Sequence, residues 1–251
     1  MIDSPDKDEH GGAPVARVLV AVCTYNELDS LPELVAGIRA ALPSADVLVV
    51  DDGSPDGTGE WAADKAGRDP WFTVIQRGRK LGLGSAIVAA MRHASDAGYD
   101  FLVNLDGDMS HDPVEIPKLV DVAQREQADV VIGSRYVPGG AIEGWPMSRL
   151  VISGLLNRVA RIALGLQARD CSGAYRCYRV DTLDRVDLNR IRASGYAMLE
   201  EILWLLTHRD AKIVEIPIRF VNRVQGSSKL SLGEAVKSIA MLARIACSPR
   251  R

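Results

Sequence analysis

The sequence predicts an α/β fold with a mainly parallel sheet, and two observations carry this prediction. Short aliphatic runs alternate with amphipathic helical segments over residues 16–134, which is the pattern of strands joined by crossover helices. Several of these runs end in polar loops, as the carboxyl ends of parallel strands do at binding sites. A chain of 251 residues can also bury a large core. We expect one domain over 16–231, after a disordered leader at 1–15 and before an amphipathic helix and tail at 232–251.

Each predicted strand of the first half is a short run rich in apolar residues and bounded by polar or turn-forming residues. The five strands are predicted at 17–23, 47–50, 72–76, 101–105 and 129–133. The helices between them are predicted at 30–41, from 58 to 66, at 82–97 and at 113–127. Ser30 is expected to cap the first helix, with Glu33 at the capping-box position. Strands that alternate with helices in this way form a parallel sheet with helices on both faces.

The alternation stops after residue 134, and the second half of the chain is less regular. The glycine-rich segment 137–144 is expected to be mobile, and Pro217 to interrupt an edge strand. The elements predicted here are an amphipathic helix at 149–166, a loop entering a strand at 170–176, a helix at 196–208, the edge strand at 212–218 and a final amphipathic helix at 232–246.

The net charge of −3 hides an uneven distribution of charge along the chain. Residues 1–134 contain 11 Lys and Arg against 23 Asp and Glu, whereas residues 135–251 contain 19 against 10. An acidic half suits a cation, and a basic half suits phosphates or an anionic surface. Nucleic acid is not expected as a partner, because the basic residues are dispersed among aliphatic ones without interleaved aromatic residues.

Cysteine usage and hydropathy indicate the cellular compartment. The cysteines at 23, 171, 177 and 247 form no C-x-x-C pair, so neither a disulfide framework nor a zinc site is expected. No apolar run approaches the roughly 18 residues that a membrane-spanning helix needs, and the polar leader is unlike a signal peptide. We expect a cytoplasmic protein that is soluble or peripheral at the cytoplasmic face of the membrane.

The strongest chemical feature is Asp106-Gly107-Asp108, directly after the predicted strand at 101–105. Glycine lets the backbone turn tightly there, so two carboxylates follow the carboxyl end of a strand, where α/β proteins bind ligands. Such carboxylates are hard oxygen ligands suited to Mg²⁺ or Mn²⁺. A solvated acidic turn is the alternative interpretation of these residues.

Two other strand ends bring polar residues to the same edge of the sheet. Tyr25 offers a face on which a base can stack, and the carboxylates of Glu27, Asp51 and Asp52 can accept hydrogen bonds from base and ribose. A nucleotide is the ligand that suits this edge. The alternative for Asp51 and Asp52 is that they only cap the helix that follows.

Two other nucleotide or phosphate folds fit the sequence poorly. Gly82-Leu83-Gly84 opens a helix like a dinucleotide fingerprint, but Ile87 occupies the place of the third glycine. A receiver domain requires a lysine after the fifth strand, where this chain has Gly133-Ser134-Arg135.

In their order along the chain, the motifs resemble those of the family 2 inverting glycosyltransferases, and within them the polyprenyl-phosphate (dolichol-phosphate) mannose synthases. The resemblance covers about residues 17 to 231. It rests on T-Y-N-E at 24–27, V-D-D-G-S-P-D-G-T at 50–58, G-L-G-S-A at 82–86, D-G-D-M-S-H-D-P at 106–113, G-S-R-Y at 133–136, D-C-S-G-A-Y-R at 170–176, G-Y-A-M-L-E-E at 195–201 and N-R-V-Q-G-S-S-K-L at 222–230.

The resemblance implies a nucleotide-sugar-binding, Rossmann-like GT-A fold and transfer of a hexose, with inversion, from GDP-mannose to a polyprenyl phosphate. It implies Mg²⁺ or Mn²⁺ as cofactor, held by Asp106 and Asp108. The donor-binding residues that it implies are Thr24, Tyr25, Glu27, Asp51, Asp52, Gly82, Arg223 and Lys229. The acceptor phosphate is expected at Arg135, Arg149 and Ser153, and the residues expected to act in catalysis are Asp106, Asp108, Arg135 and Arg149.

Departures from the family pattern leave alternatives open. Ser110 replaces a common glutamine, and Met198-Leu199 replaces a Phe-Gln pair before Glu201. The alternatives are transfer from UDP-glucose to undecaprenyl phosphate, a protein- or glycan-directed transferase, and a non-catalytic nucleotide-binding module. The amphipathic helices at 149–166 and 232–246 either pack on the core or lie in a membrane surface, and a separate protein can serve as membrane anchor.

Overall fold

The computed structural model describes residues 16–191, 193, 195, 197–222, 241–243 and 245. The strands of this part are β1 (Val18–Thr24), β2 (Asp46–Asp51), β3 (Phe72–Gln76), β4 (Phe101–Asp106), β5 (Val130–Ser134), β6 (Ala141–Glu143), β7 (Arg176–Arg179), β8 (Ile213–Pro217) and β9 (Arg219–Val221). The α-helices are α1 (Leu31–Ala41), α2 (Thr58–Ala66), α3 (Leu83–Asp96), α4 (Ile116–Arg125), α5 (Met147–Leu164), α6 (Val180–Leu183) and α7 (Ala197–Thr207). Two 3₁₀ turns, Pro113–Glu115 and Leu188–Arg190, complete these elements.

A seven-stranded sheet with the order β3-β2-β1-β4-β7-β5-β8 forms the centre of the fold. The prediction of a mainly parallel sheet is confirmed, because every pair is parallel except the two that β7 makes with β4 and β5. The five predicted strands of the first half are all present, with ends within one residue of the prediction. β8 lies at the edge of the sheet and ends at Pro217, as predicted.

Helices cover both faces of the sheet, and this explains why β1 is apolar from Val18 to Cys23. Alternate residues of this strand point to opposite faces, and all of them are buried. Leu19 and Ala21 belong to a core that includes residues of α3 and α7, whereas Val20 and Val22 belong to a core that includes residues of α1 and α4. Continuous aliphatic strands follow directly from burial on both sides.

The predicted side-chain cap by Ser30 is wrong, and the predicted mobility of the segment 137–144 stays a prediction. Ser30 precedes α1, but its side chain does not cap the helix; its hydroxyl donates to the carbonyl of Gly107 at 2.7 Å and so ties α1 to the turn after β4. The glycine-rich segment 137–144, predicted to be mobile, contains β6, which pairs with β9 in a two-stranded parallel sheet. That pairing depends on residues about 80 positions away in the chain, which local sequence does not reveal.

The ends of the chain are described only in part. The leader at 1–15 and most of the helix predicted at 232–246 lie outside the described residues. Met241–Ala243 and Ile245 are helical, and Leu242 and Ile245 are buried in the core on the α3 and α7 side of the sheet. Packing on the core is therefore observed for these two side chains, and the extended C-terminal helix stays a prediction.

Candidate active site

A cavity of about 220 Å³ opens at the carboxyl ends of β1, β2 and β4, where a parallel sheet is expected to bind its ligand. Eight residues predicted from the sequence line it: Thr24, Tyr25, Glu27, Asp52, Gly82, Asp106, Asp108 and Arg149. Six lining residues have no predicted role, although three of them lie in motifs of the family resemblance (Leu83, Ala86 and Asn222). The six are Cys23, Lys80, Leu83, Ala86, Phe220 and Asn222. Gly107 and Ser110 complete the lining. The cavity therefore joins three strand ends with the beginning of α5.

The loop after β1 carries Tyr25 and is held by the loop after β2 and by the first residue of α2. The backbone N–H of Asn26 donates to the Ser54 hydroxyl at 3.0 Å, and that of Glu27 donates to the Thr58 hydroxyl at 3.1 Å. Asn26 has a φ of 62°, a left-handed conformation that asparagine tolerates better than most residues. The Nζ of Lys80 lies 3.5 Å from the centroid of the Tyr25 ring. A cation and an aromatic face therefore adjoin at this side of the cavity.

Asp51 and Asp52 hold the backbone of neighbouring loops. Asp51 is buried and lies outside the cavity lining; its carboxylate accepts from the N–H groups of Gly53 and Ser54, each at 3.0 Å, and from the hydroxyls of Ser54 and Thr24. Asp52 lines the cavity and accepts from the N–H of Gly82 at 2.6 Å. Neither caps α2, so that alternative is wrong.

The loop that contains Gly82 is also fixed by charge. Arg77 forms a salt bridge with Asp52 at 3.0 Å, and both side chains are almost fully buried. The N–H of Leu81 donates to the same carboxylate at 3.0 Å. Gly82 has a φ of 94°, which an L side chain rarely adopts. The glycine therefore lets the chain enter α3 at the wall of the cavity.

The acidic turn after β4 places both predicted metal ligands in the cavity. Asp108 accepts from the N–H of Ser110 at 3.1 Å, and Met109 between them has a φ of 60°. A left-handed methionine is strained, and such strain is typical of functional loops. A Cβ atom on Gly107 would lie 3.3 Å from the side chain of Thr24, so the turn packs closely against the end of β1.

His111 orders this turn. Its Nδ1 accepts from the backbone N–H of Asp106 at 3.2 Å, and its ring packs between Tyr175 and Phe220, with centroids 4.9 and 5.4 Å away. Burial lowers the pKa of His111 to about 4, although Asp108 opposes this shift. The imidazole is therefore neutral at neutral pH and accepts a hydrogen bond from the loop that carries the two acids.

The donor set of the acidic turn fits a divalent cation. The described residues include no cluster of three His, Cys, Asp or Glu side chains placed to hold a metal ion. Mg²⁺ does not require one, because it keeps several waters and binds one or two carboxylates together with substrate phosphates, and Mn²⁺ favours the same oxygen ligands. Asp106 and Asp108 at the wall of an open cavity provide two such carboxylates.

Arg135 is engaged in a buried ion pair. Its Nε and Nη2 donate to the two oxygens of Asp170, each at 2.7 Å, and its Nη2 also donates to the Ser172 hydroxyl. Burial alone would raise the pKa of Asp170, but the charge and hydrogen bonds of Arg135 outweigh burial and lower it. Arg135 does not line the cavity, so its predicted contact with a phosphate rests on its remaining nitrogen, Nη1.

Arg149 lies at the cavity wall, on the first turn of α5. Its Nη1 donates to the Oδ1 of Asn222 at 3.2 Å, and its Cζ lies 3.7 Å from the centroid of the Trp145 ring. The Arg149 side chain therefore lies between the Trp145 ring and Asn222 at the cavity wall. Asn222 is the last residue described before 223–240, a range that includes the predicted donor-binding residues Arg223 and Lys229, which lie outside the described residues.

Ser153 is buried one turn further along α5 and lies outside the cavity lining. It accepts a hydrogen bond from the Tyr136 hydroxyl at 2.7 Å. Its backbone carbonyl accepts from Asn157, whose Oδ1 in turn accepts from the N–H of Cys171 at 2.8 Å. Ser153 therefore belongs to a network that supports the loop carrying Asp170.

Helix α7 carries a buried carboxyl group, that of Glu200, outside the cavity lining. Burial raises the pKa of Glu200 to about 7, and the charge of Arg176 only partly opposes the shift. Within the described chain, neither Glu200 Oε2 nor Arg176 Nε has a hydrogen-bond partner. The other Arg176 nitrogens donate to the carbonyls of Leu199 and Cys171.

We expect Glu200 to make the protein less stable as the pH rises. Its pKa is about 7 in the folded protein against 4.5 ordinarily, so its contribution to stability is full below about pH 4.5 and is lost as the pH rises through about 7. Between pH 5 and pH 8 the wild type should lose about 2 kcal/mol more of its unfolding free energy than Glu200→Gln does. Urea unfolding at both pH values measures this, with the exposed Glu60→Gln as control. Equal losses in wild type and Glu200→Gln would contradict the expectation.

Helix α5 presents an apolar stripe on its outer side. Met147, Val151, Leu155 and Ile162 are 73%, 62%, 58% and 75% exposed and follow one another at helical spacing, while Ser153, Asn157, Ala160 and Leu164 on the other side are buried. Of the helices described here, none has the length and hydropathy to cross a membrane. An exposed stripe of this kind is unusual on a soluble surface.

Comparison with known proteins identifies the family. The model of glycosyl transferase family 2 matches residues 19–187. An undecaprenyl-phosphate mannosyltransferase of Micrococcus luteus is 46% identical over 226 residues, which cover 89% of this chain and 92% of that protein. A polyprenol monophosphomannose synthase of Mycolicibacterium smegmatis is 42% identical, with 87% and 82% covered. A dolichol-phosphate mannosyltransferase of Pyrococcus furiosus is 38% identical over 85% of this chain and 59% of its own length.

Solved structures share the architecture at lower identity. Glucosyl-3-phosphoglycerate synthase of Mycobacterium tuberculosis, in complex with Mn²⁺ and UDP, has a TM-score of 0.65 at 19% identity, with 93% of this chain and 81% of that chain covered. A mannosyltransferase of Pyrobaculum calidifontis, in complex with GDP-Man and Mn²⁺, has a TM-score of 0.55 at 16% identity, with 91% and 69% covered. The fold is therefore the predicted GT-A fold. The chain belongs to glycosyl transferase family 2.

Proposed function

We propose that this enzyme transfers mannose from GDP-mannose to a polyprenyl phosphate, with inversion at the anomeric carbon. One observation carries the proposal: a single cavity joins the two carboxylates of the acidic turn to Arg149. Metal-binding acids suit a nucleoside diphosphate, and a guanidinium suits a phosphate monoester. The relatives at 38–46% identity, whose names join mannose to a polyprenol or a polyprenyl phosphate, support mannose as the sugar and this class of acceptor.

The donor side of the proposal rests on the loops after β1 and β2. Tyr25 offers a ring for a base, and Thr24, Glu27 and Asp52 supply oxygen atoms at the wall of the cavity. Lys80 adds a positive charge beside Tyr25. The contribution of Asp51 is indirect, because its carboxylate shapes the turn at 51–54. Arg223 and Lys229 are proposed to contact the donor phosphates, as the family resemblance implies.

The chemistry requires no general base. A polyprenyl phosphate is already an anion at neutral pH, so its oxygen can attack the anomeric carbon directly while the bond to GDP breaks. The work of the protein is to bring two anions together, and fixed charges that favour the transition state are usually the largest catalytic contribution. Arg149 and Nη1 of Arg135 would orient the acceptor phosphate, with Ser153 supporting them from α5. A Mg²⁺ or Mn²⁺ ion held by Asp106 and Asp108 would neutralise charge on the departing diphosphate.

A donor-competition assay tests the proposed function. Purified protein receives radiolabelled GDP-mannose or UDP-glucose, each with a short polyprenyl phosphate and with Mg²⁺ or Mn²⁺. We expect labelled lipid from GDP-mannose, and no labelled lipid when the acceptor lacks its phosphate. Product from UDP-glucose alone would favour the alternative donor. Donor binding without any transfer would instead support a non-catalytic nucleotide-binding module.

We also propose that the protein acts at the cytoplasmic face of a membrane, where its lipid acceptor lies. The exposed stripe of α5 begins beside Arg149, so a bilayer in contact with the stripe would adjoin the acceptor end of the cavity. Arg158, exposed on the same side of α5, would face lipid headgroups. Cys23, Cys171 and Cys177 are free thiols, which fits a reducing compartment. A separate protein anchor is compatible with this arrangement.

Vesicle flotation tests the membrane contact. We expect the protein to float with anionic vesicles at low salt and the triple variant Val151→Ser/Leu155→Ser/Ile162→Ser to lose about tenfold or more in bound fraction, because three exposed aliphatic groups no longer enter the lipid. Val114→Ser, at an exposed apolar residue of the 3₁₀ turn before α4, is the matched control. If the wild type does not bind vesicles, or if the triple variant binds as well as the control, the membrane proposal is wrong.

A further inference from the structure

We infer that Trp145 is a positioning residue of the acceptor-phosphate site: its indole ring holds the guanidinium of Arg149 at the cavity wall, beside Arg135. The inference rests on the proposed function and extends it to a residue that the sequence motifs do not assign. Trp145 lies between β6 and α5, and Arg149 is on the first turn of α5. The Cζ of Arg149 lies 3.7 Å from the ring centroid, within the range of a cation–π contact.

Stacking on the ring suits a phosphate ligand. A guanidinium that lies over an aromatic face keeps its N–H donors in its own plane, so these donors can still bind a phosphate in a forked arrangement. Of the Arg149 nitrogens, Nη1 donates to Asn222. The ring contact involves the face of the guanidinium and none of its N–H groups, so it restrains the long side chain of Arg149 without a hydrogen bond.

The indole ring is itself fixed in place. It packs edge-on against Phe220, with centroids 5.4 Å apart and an interplanar angle of 70°, and Phe220 lines the cavity. The residues on either side of Trp145 are constrained, because Gly144 has a φ of 76° and Pro146 immediately precedes α5. A rigid ring reduces the conformational entropy that Arg149 would lose on binding a phosphate.

Trp145 also lies near the second arginine of the site. The Cζ of Arg135 is 5.5 Å from the Trp145 ring centroid and 5.4 Å from that of Phe220. Two guanidinium groups close together repel one another, and two factors offset this repulsion here: Asp170 neutralises Arg135, and the negative faces of the rings attract both cations. Trp145 thus allows two arginines to be present before the phosphate arrives.

The buried Nε1 of Trp145 has no hydrogen-bond partner within the part of the chain that is described. A buried indole N–H usually finds a hydrogen-bond partner, so this group does not account for the position of the ring. The ring face therefore makes the contacts of Trp145 described here with Arg149 and Arg135, and tryptophan is the strongest cation–π partner among the aromatic residues.

The test compares variants of the full-length protein in the mannosyl-transfer assay with a short polyprenyl phosphate. Trp145→Leu removes the ring face, Trp145→Phe keeps a weaker one, and Trp71→Leu, at an exposed residue next to β3, is the matched control. We expect the KM for the acceptor to rise about tenfold in Trp145→Leu and about threefold in Trp145→Phe. The dissociation constant of GDP and the kcat should change by less than about twofold.

A double-mutant cycle with Arg149→Gln separates positioning from general damage. If Trp145 acts through Arg149, then Trp145→Leu and Trp145→Phe should add little to the acceptor KM in the Arg149→Gln background. If Trp145→Leu does not fold, the same comparison is made with Trp145→Phe. Three results would each overturn the inference. The first is a wild-type acceptor KM in every folded Trp145 variant, and the second is a KM effect that adds fully to that of Arg149→Gln. The third is a loss of GDP affinity as large as the loss of acceptor affinity. A wild-type protein that transfers no mannose would instead contradict the proposed function, and the inference would fall with it.

Discussion

Replacement of both Asp106 and Asp108 by asparagine should abolish mannosyl transfer, with a fall of about a thousandfold or more in kcat. Asparagine keeps the size of each side chain and some hydrogen bonding, so the change removes mainly the two negative charges that would hold a divalent cation. Loss of charge stabilisation at a departing group costs several kcal/mol of barrier, and each 1.4 kcal/mol is about tenfold in rate. The same variant should also lose the Mn²⁺-dependent part of its affinity for GDP, which calorimetry measures without turnover.

Asp112→Asn is the matched control for this double variant. Asp112 lies in the same loop and accepts from the N–H of Val114 at the start of the 3₁₀ turn, and asparagine is an equally good cap. Its kcat should stay within about twofold of the wild type. Undiminished transfer by a folded Asp106→Asn/Asp108→Asn protein would remove the central support for the mechanism proposed for this cavity.

Replacement of Asp170 by asparagine should lower the free energy of unfolding by about 3–5 kcal/mol. Removal of one partner of a buried ion pair leaves the other charge uncompensated, and this is among the most destabilising single changes. The Arg135 and Asp170 side chains are 8% and 0% exposed, and Asp170 also accepts from the N–H groups of Arg135 and Gly173. Urea unfolding at neutral pH measures the loss, with Asp187→Asn on an exposed turn as the matched control.

The double variant Arg135→Met/Asp170→Leu distinguishes a charge effect from a packing effect. When both charges are replaced by apolar groups, no buried charge is left alone, and such replacements are often close to neutral. We expect the double variant to be more stable than Asp170→Asn, and to have a weakened affinity for the acceptor if Arg135 contributes to binding. If the free energy of unfolding of Asp170→Asn lies within about 1 kcal/mol of the wild-type value, as is typical of exposed ion pairs, the prediction for a buried pair is wrong.

Much of the fold could be predicted because, in the first half of the chain, the pattern of apolar residues in each strand or helix indicates which of its faces are buried. Strands buried on both faces need runs of apolar residues. β1 and β2 have them, and in β4 only Asn104 interrupts the apolar run before Asp106. The ends of these strands agree with the prediction to within one residue. The location of the site followed from the same pattern, since polar residues after adjacent parallel strands must meet at one edge of the sheet. The acidic turn after β4 and the loop after β1 do meet in one cavity.

The sequence by itself determined the α/β class, the chemistry of the strand ends and, through the order of its motifs, the family. Only the tertiary structure decided which side chains face the cavity and which are used within the protein. In the folded chain β7 lies antiparallel between β4 and β5, and Arg135 pairs with Asp170. The carboxylate of Asp51 binds backbone N–H groups of the loop that follows it, and Arg149 stacks on Trp145. The reason is physical: periodicity and turn chemistry are local properties of the chain, whereas an ion pair or a stacked ring depends on how distant segments pack together in three dimensions.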